Sequence, residues 1–225
     1  SQLLRQELFN NDTDARISTH ESIEAIEHAD LVNFHAKHWL NGMPKIFLSG
    51  SIGPAEIEAV QRTFEQITTR QTNPAIPFMA QGFNPKVIRD YRENALQSSI
   101  RMGMISLTRS NADYFKFSVL NTLLGGFFGS RLQKNIREEK GFTYGISSSI
   151  VPMRRAGYWV VGTDVNNTNV DETCEEIRKE MRRLRTERVG QEELDLVKNY
   201  LMGSFTGELK RALEILEIKL LDHLI

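Results

Sequence analysis

Two side chains that could act on one ligand lie near the end of the segment from Asn121 to Gly145, NTLLGGFFGSRLQKNIREEKGFTYG. Arg137 is expected in the last turn of a helix, and Tyr144 at the start of the strand after Gly141. A chain reversal at this glycine would bring both side chains to the same opening. A guanidinium offers several fixed donors and a phenol offers one, which suits a peptide carbonyl or an oxyanion. Spacing alone nevertheless favours a structural interpretation, in which Arg137 pairs with Glu138 or another neighbour and Tyr144 packs.

The five histidines do not predict a complete zinc site. Only His35 and His38 lie close together, in HAKHW, where a separation of three makes them neighbours on one helix face. A zinc peptidase helix also needs a glutamate as general base, as in H-E-x-x-H or H-x-x-E-H, and HAKHW has none between its histidines. His38 continues an apolar stripe with Leu31 and Phe34. We therefore expect both histidines to be partly buried structural residues.

The cysteine and the glycine cluster are better explained by packing than by chemistry. Cys174 lies on the apolar face of a predicted helix, whereas a reactive thiol needs a basic, partly exposed setting. LGGFFGSR matches neither G-x-G-x-x-G nor G-x-x-x-x-G-K-[ST], and it follows a helix rather than a strand, so phosphate or nucleotide binding is the weakest alternative. Gly125 and Gly126 are expected to form a tight turn between two helices. Ser130 and Gln133 match the S-x-x-Q capping box, which predicts a helix start at Ser130.

The residues before the glycine cluster predict two helices and a strand. A helix is expected from Ile23 to Trp39, with Asp30 capping a second segment inside it. The sequence KIFLSG at positions 45–50 alternates as a strand does. Gly53-Pro54 begins the next helix with proline in its first turn. That helix carries one stripe that we expect to be buried, formed by Ile57, Val60, Phe64 and Ile67.

The later part of the chain predicts a mainly antiparallel sheet covered by helices on one face, which is an α+β fold. Helices are expected at 113–124, where apolar residues surround the axis, and from Val170 on, where the apolar spacing is amphipathic. Two more helices are expected after Gly190, one up to Phe205 and one from Leu209. Strands are predicted at 86–92, 99–107, 144–151 and 157–165.

Three prolines between positions 71 and 85 mark a linker. We place the domain boundary there, so that residues 1–72 and 73–225 form two parts that can still pack as one unit. The chain begins without methionine and ends inside a periodic helical pattern, so we expect a piece of a longer protein.

Composition sets limits on the partners of the chain. Among its 225 residues, 40% are hydrophobic and 25% are charged, and the net charge is −1, so no overall field favours nucleic acid. The basic run MRRLRTER falls on the solvated face of a predicted helix. A single cysteine excludes an internal disulfide framework, and no apolar run approaches the roughly 20 residues of a membrane helix. We expect no membrane span and favour the cytoplasm over the periplasm.

The segment from Asn121 to Gly145 resembles the C-terminal, non-catalytic half of the M16 zinc metallopeptidases, the family of insulin-degrading enzyme, pitrilysin and the mitochondrial processing peptidase. The shared pattern is an Asn, a Leu-Gly-Gly turn, S-R-L, and then R-E-x-x-G-x-x-Y. This chain presents it as Asn121, Leu124-Gly125-Gly126, Ser130-Arg131-Leu132, and Arg137-Glu138 through Gly141 to Tyr144. IRMGMISLTRSNADYF and EELDLVKNYLMGSF resemble other parts of that half, and HADLVNFHAKHWLNGMPKIFLSGSI resembles the end of the preceding, catalytic half.

This resemblance implies the LuxS/MPP-like metallohydrolase fold and two similar halves that close around a peptide. In the family the first half holds zinc on H-x-x-E-H, which is absent here, so the resemblance implies no metal ligand and no catalytic residue in this chain. It assigns substrate binding and transition-state support to Arg137 and Tyr144, which match the family's Arg and Tyr by motif and spacing. Arg131 matches a position that we expect to be structural.

The implied partners are a peptide substrate and a catalytic M16 half or subunit that carries H-x-x-E-H and zinc. The resemblance also allows a different function, an inactive M16-like scaffold that binds a partner and never cuts. Exposed sheet edges favour self-association of the chain. We expect residues 45–50 to pair with such an edge, within the chain or by exchange with a neighbour. Finding them unpaired and exposed would contradict this expectation.

Overall fold

The structure, a computed structural model, describes residues 2–10, 15–39, 46–65, 85–153 and 156–215. Within these ranges, residues 2–10, 15–17, 85–153 and 156–200 form one compact unit, and residues 18–39, 46–65 and 201–215 form a second. Almost the whole predicted linker lies outside the described residues. The domain boundary near residue 72 therefore stays a prediction.

A three-stranded antiparallel sheet lies at the centre of the first unit, with the strand order β1–β3–β2. Its strands are β1 (Gln97–Ser106), β2 (Ile146–Pro152) and β3 (Gly157–Asn166). Thr163 on β3 lies opposite both Ile100 on β1 and Ile146 on β2. The sequence predictions of a strand at 99–107 and of a hairpin formed by 144–151 and 157–165 are confirmed.

Helices cover one face of this sheet and form the core with it. β3 alternates as predicted for a strand with one buried face, and its Val161 and Val165 are fully buried. α5 (Tyr114–Asn121) and α6 (Val170–Thr186) pack on this face through Phe117 and Ile177. Each fully buried aliphatic side chain contributes about 1.5–3 kcal/mol to stability. The predicted α+β class, an antiparallel sheet with a layer of helices on one face, is confirmed, although one further helix lies on the other face. The core comprises Leu124, Leu132, Ile136, Ile146, Trp159, Val161 and Ile177.

A helix that was not predicted from the sequence packs on the other face of the sheet. α1 (Gln2–Phe9) buries Phe9, whose ring meets the Tyr158 ring edge-on with 6.0 Å between centroids. Gly103 on β1 leaves room for Leu4, because a Cβ there would lie 3.0 Å from the Leu4 Cδ2. α1 therefore covers part of this face.

The second unit contains short helices whose N-terminal caps follow the sequence. They are α2 (His20–Glu24), α3 (His28–Phe34) with a π-helical turn at His35–Trp39, and α4 (Pro54–Phe64). A second segment does begin here, but α3 starts at His28 with Glu27 as its N-cap; Asp30 is the third residue of the helix, where its carboxylate accepts the Glu27 amide at 2.9 Å. α4 begins at Gly53-Pro54, as predicted.

The apolar stripes of this unit are not buried, contrary to the sequence prediction. In the predicted stripe of α4, Ile57 is 45% exposed, Phe64 is exposed and Val60 is only partly buried, while Ile67 lies outside the described residues. None of α2, α3 and α4 contains a fully buried residue. His35 and His38 are exposed rather than partly buried, and their rings lie near those of Trp39 and Phe34, at 6.0 and 4.6 Å. Periodicity shows which side of a helix is apolar, but it does not supply the surface that covers that side.

Two predicted strands are absent from the structure. Residues 46–50 are exposed and form no strand, so their predicted pairing with a sheet edge within the chain is wrong; position 45 lies outside the described residues. Residues 85–92 are also exposed and irregular. In this segment Lys86 pairs with Glu7, and Arg89 Nη2 lies 3.1 Å from Asp171 Oδ1.

The two helices predicted after Gly190 are one. α7 (Gln191–Ile215) continues through Gly203 and Gly207, and the Thr206 hydroxyl donates to the Met202 carbonyl at 2.8 Å. A glycine inside a helix costs about 1 kcal/mol but keeps its backbone amide, so the hydrogen-bond ladder is not interrupted. α5 also differs from the predicted helix with apolar residues all around its axis. Phe115 on α5 is 75% exposed, and within 113–124 the fully buried residues are those at 122–124, after the end of α5.

Candidate functional site

The glycine cluster forms a π-helical turn, Thr122–Gly126, that lies directly against β2. A Cβ at Gly125 would lie 2.7 Å from the Ser148 amide nitrogen and 3.0 Å from the Leu132 Cδ1. No side chain fits in that space, so the turn can approach the strand only because glycine is there. As predicted, Gly125 and Gly126 end a helical segment, but the close approach at Gly125 is to the β2 backbone as well as to Leu132 of the next segment.

Replacing Gly125 by alanine is expected to lower the free energy of unfolding by about 1–3 kcal/mol, because the methyl group overlaps the β2 backbone. Urea titration followed by circular dichroism measures the change. Gly203→Ala is the matched control: a Cβ there meets nothing within 4 Å, and alanine should stabilise α7 by about 0.5–1 kcal/mol. Equal stability of the two variants would contradict this account of the turn.

Asn121 fastens the turn to two strands. Its side-chain amide donates to the Ser148 carbonyl at 3.2 Å and accepts the Trp159 indole N–H at 2.9 Å. The Ser148 hydroxyl donates back to the Asn121 carbonyl at 3.1 Å. The family pattern begins with this Asn, and the structure shows that it joins α5, β2 and β3.

A helical segment begins at Arg131 and continues as the π-helix Gln133–Glu139. The predicted capping box is wrong. The Ser130 hydroxyl has no hydrogen-bond partner among the described residues, and the Gln133 side chain donates to the Ile146 carbonyl at 2.6 Å. Gln133 and Asn121 therefore both donate hydrogen bonds to carbonyl groups on the free edge of β2. In a larger sheet, a neighbouring strand would donate these hydrogen bonds.

Arg131 is structural, as predicted. Its guanidinium binds the Glu193 carboxylate of α7 with two parallel bonds of 2.8 Å. The Arg131 side chain is 11% exposed and that of Glu193 30%. The hydrogen bonds from Arg131 lower the pKa of Glu193 below its ordinary value. This pair fixes the helical segment against the first part of α7.

A second polar cluster holds the same segment from its other side, and sequence reasoning missed it. The buried Asn135 amide donates to Glu176 and Glu180 on α6, both at 2.9 Å. Glu180 is almost fully buried and also accepts Arg183 at 3.1 Å. The hydrogen bond from Asn135 lowers the pKa of Glu176. In the sequence these residues belong to a charged run that gives no sign of burial.

The chain reverses at Gly141, as the sequence predicts. Its φ of +65° lies in the left-handed region, and the next amide, Phe142, donates to the Ile136 carbonyl at 3.0 Å. Thr143 then fixes the loop: its hydroxyl lies 2.8 Å from the Asp164 carbonyl and 2.9 Å from the Thr163 hydroxyl, which donates to it. Tyr144 thus follows a residue that is tied to β3.

The structure brings Arg137 and Tyr144 together at one surface. The Arg137 Cζ lies 5.6 Å from the Tyr144 ring centroid, and the Tyr144 side chain is 93% exposed. Among the described residues Arg137 has no carboxylate partner, so the predicted pairing with Glu138 is not formed. Phe128, which sequence reasoning did not single out, lies closer, with its ring centroid 4.5 Å from the Arg137 Cζ. The signal for Phe128 in the sequence is its position in the short stretch between Gly126 and Gly129, where a large aromatic residue is not expected for packing alone.

This arrangement is suited to bind a polar group of an extended ligand. Both distances lie within the range of cation–π attraction, which keeps the guanidinium near the rings while leaving it charged. The N–H groups of Arg137 can donate to a carbonyl or carboxylate, and the phenol of Tyr144 can donate to the same group or its neighbour. We name Phe128, Arg137 and Tyr144 the aromatic–arginine cluster.

The donor groups of the described residues do not fit a zinc site. No group of three or more His, Cys, Asp and Glu side chains within the described ranges could hold a metal ion. His35 and His38 are exposed and have no third ligand near them in that part of the chain. Cys174 is partly buried, and burial raises the pKa of its thiol, which opposes the thiolate that a nucleophile or ligand needs.

An antiparallel sheet with a layer of helices on one face, a glycine turn packed on β2 and an Arg–Tyr pair on either side of a left-handed glycine define an M16-type α+β domain. The family model described as "Peptidase M16 inactive domain" matches residues 25–201. The chain belongs to this family, which confirms the resemblance found in its sequence.

Known proteins agree with this assignment. An uncharacterized zinc protease of Mycobacterium leprae is 27% identical over 137 residues, 60% of this chain and 31% of that protein. A "non-peptidase homolog" of Helicobacter pylori is 26% identical over 218 residues, 89% of this chain and 47% of that protein. A crystal structure of a peptidase M16 inactive domain from Pseudomonas fluorescens has a TM-score of 0.70 at 25% identity, over 97% of this chain and 55% of that one.

The chain spans about a third to a half of the length of the relatives it matches. Among the helices that the structure describes, none has both the length and the apolar character that crossing a membrane requires.

Proposed function

We propose that this chain is the substrate-binding, non-catalytic domain of an M16 zinc endopeptidase that cleaves peptides or unfolded polypeptides. The observation that carries the proposal is the Arg137 guanidinium, which lies against two exposed rings and has no carboxylate partner among the described residues. Family membership and a relative named as a zinc protease support it. The hydrolytic zinc centre would belong to a catalytic M16 half or subunit, since the described donors of this chain do not fit one.

The roles of the two residues follow from their exposure and chemistry. Tyr144 is almost fully exposed, so a peptide can reach its hydroxyl without displacing any neighbour. Arg137 is partly buried, so a peptide carbonyl that it binds loses water and the hydrogen bond gains strength. We assign both side chains to the peptide backbone near the bond that is cut, where they bind and orient the carbonyl group.

Tyr144→Phe is expected to lower kcat/KM of the full-length protein for an unstructured peptide about tenfold, because one neutral hydrogen bond is lost. The dissociation constant of the peptide should rise or stay constant, and the zinc content should not change. Hydrolysis of a quenched fluorescent peptide, anisotropy and metal analysis measure the three quantities. Tyr91→Phe is the matched control, because Tyr91 is 82% exposed and is not part of the aromatic–arginine cluster. An unchanged kcat/KM in Tyr144→Phe would remove Tyr144 from the assignment.

A second candidate is an inactive M16-like scaffold that binds a partner protein and does not cut. The H. pylori relative, which covers most of this chain, is named a non-peptidase homolog, and this favours the second candidate. The coding sequence upstream of residue 1 and the neighbouring genes separate the two. H-x-x-E-H in either place supports the peptidase, and its absence from both supports the scaffold.

A further inference from the structure

The adjacent residues Phe127 and Phe128 have opposite environments. The Phe127 ring is partly buried and packs on Tyr200 of α7, with 5.0 Å between centroids. The Ser130 amide donates to the Phe127 carbonyl at 3.1 Å, which closes a tight turn with Phe128 near its tip. Phe128 is 64% exposed. One ring therefore anchors the turn, and the other is presented to solvent.

Packing of the domain does not account for the position of Phe128. Its only described ring contact is the Arg137 guanidinium at 4.5 Å, and it is not part of the buried core. The chain on both sides of Phe128 is closely packed: a Cβ at Gly129 would lie 2.8 Å from the Phe127 ring, and a Cβ at Gly125 would meet β2. A large exposed ring next to the donors of Arg137 and Tyr144 can contact an apolar part of the same ligand that those donors bind.

The groups around the Phe128 ring limit the kind of side chain that it can bind. The guanidinium of Arg137 lies over the ring, and the rest of the ring is open to solvent. A peptide whose backbone reaches Arg137 and Tyr144 would bring a side chain toward Phe128, because successive side chains of an extended chain leave it on alternate sides. An aliphatic or aromatic side chain would bury apolar area there, and a charged or small one would not.

We propose that Phe128 determines substrate specificity by binding an apolar side chain of the peptide next to the backbone group held by Arg137. This inference rests on the proposed function, and it adds the class of substrate: unfolded segments with a leucine-like or aromatic residue at one position. Phe128 touches the side chain of the substrate, whereas Arg137 and Tyr144 touch its backbone.

The test measures peptide affinity with the full-length protein. Fluorescein-labelled peptides of Ser, Gly and Ala carry one Leu or one Ala at a position that is moved along the peptide, and the initial anisotropy is read before hydrolysis. At one position the wild type should bind the Leu peptide about tenfold more tightly than the Ala peptide. In Phe128→Ala this ratio should fall to about 1–2, with the affinity for the Ala peptide retained, and Phe128→Tyr should keep the wild-type ratio.

Phe115→Ala is the matched control, because Phe115 is 75% exposed and does not contact Arg137. Its Leu-to-Ala ratio should equal that of the wild type. The inference is overturned if no position shows a Leu preference, if Phe128→Ala keeps the preference, or if Phe115→Ala loses it equally. Arg137→Ala should weaken both peptides by the same factor. If it weakens neither, the proposed function fails, whatever Phe128 does.

Discussion

Arg137→Ala is expected to lower kcat/KM of the full-length protein for peptides about 10²–10³-fold, which is the effect of removing one preorganised donor from a reacting carbonyl. Zinc content and melting temperature should stay close to wild type. The reason is that Arg137 has no ion-pair partner among the described residues, so its removal leaves no carboxylate unpaired there. Hydrolysis of a quenched peptide, metal analysis and a thermal melt measure these three quantities.

The control for charge alone is Arg182→Ala. Arg182 is an exposed arginine on α6 whose nearest carboxylate, that of Glu175, lies 4.0 Å away. Its loss changes the net charge by the same amount and should leave kcat/KM unchanged. Arg137→Lys should fall between wild type and Arg137→Ala, because an ammonium keeps the charge but lacks the planar fork. Wild-type hydrolysis by Arg137→Ala would show that the aromatic–arginine cluster is not part of the peptide site.

The features that could be predicted from the sequence are those that neighbouring residues determine. Gly141 ends a helix because glycine itself accepts a positive φ, and Asp30 completes a cap because the amide that it accepts, that of Glu27, lies only three residues away. The hairpin of β2 and β3 follows from alternation, since one face of each strand is buried. The spacing of Arg137 and Tyr144 across Gly141 was sufficient to place them near each other.

The features that could not be predicted depend on residues far away in the chain. Ser130 and Gln133 satisfy the local rule for a capping box, but a β2 carbonyl 13 positions away takes the Gln133 amide. Glu180 is a surface residue by pattern and is buried by Asn135, 45 positions earlier. An apolar stripe on a helix is buried only if another surface covers it. Within the described residues, no surface buries the stripe of α4. Long-range partners of this kind leave no periodic signal.

The helical segment that carries Arg137 is held at its start, its middle and its end by contacts to other elements. Arg131 ties its start to α7, Asn135 ties its middle to α6, and Gly141 with Thr143 ties its end to β3. Each of these contacts is polar and directional. The position of the guanidinium is therefore set by residues that do not touch a ligand.

Glu193→Gln is expected to lower the free energy of unfolding by about 1.5–3 kcal/mol at pH 7, because it weakens a two-bonded ion pair whose arginine is only 11% exposed. The loss should depend on pH. The hydrogen bonds from Arg131 hold the folded-state pKa of Glu193 below its ordinary value, so the stabilisation is complete above about pH 4.5 and disappears as the pH falls through the folded-state pKa. The stabilities of wild type and variant should therefore converge in acid. Urea titrations from pH 3 to pH 7 measure this convergence.

Glu58→Gln separates this effect from the general loss of a surface charge. Glu58 pairs with Arg62 four residues away on α4, and both side chains are more than half exposed, so its replacement should cost only a few tenths of a kcal/mol. Because Arg131 begins the helical segment that carries Arg137, Glu193→Gln should also weaken peptide binding at pH 7 where the protein is still folded. A pH-independent difference between Glu193→Gln and wild type would mean that packing of α7, and not the charge of Glu193, stabilises this segment.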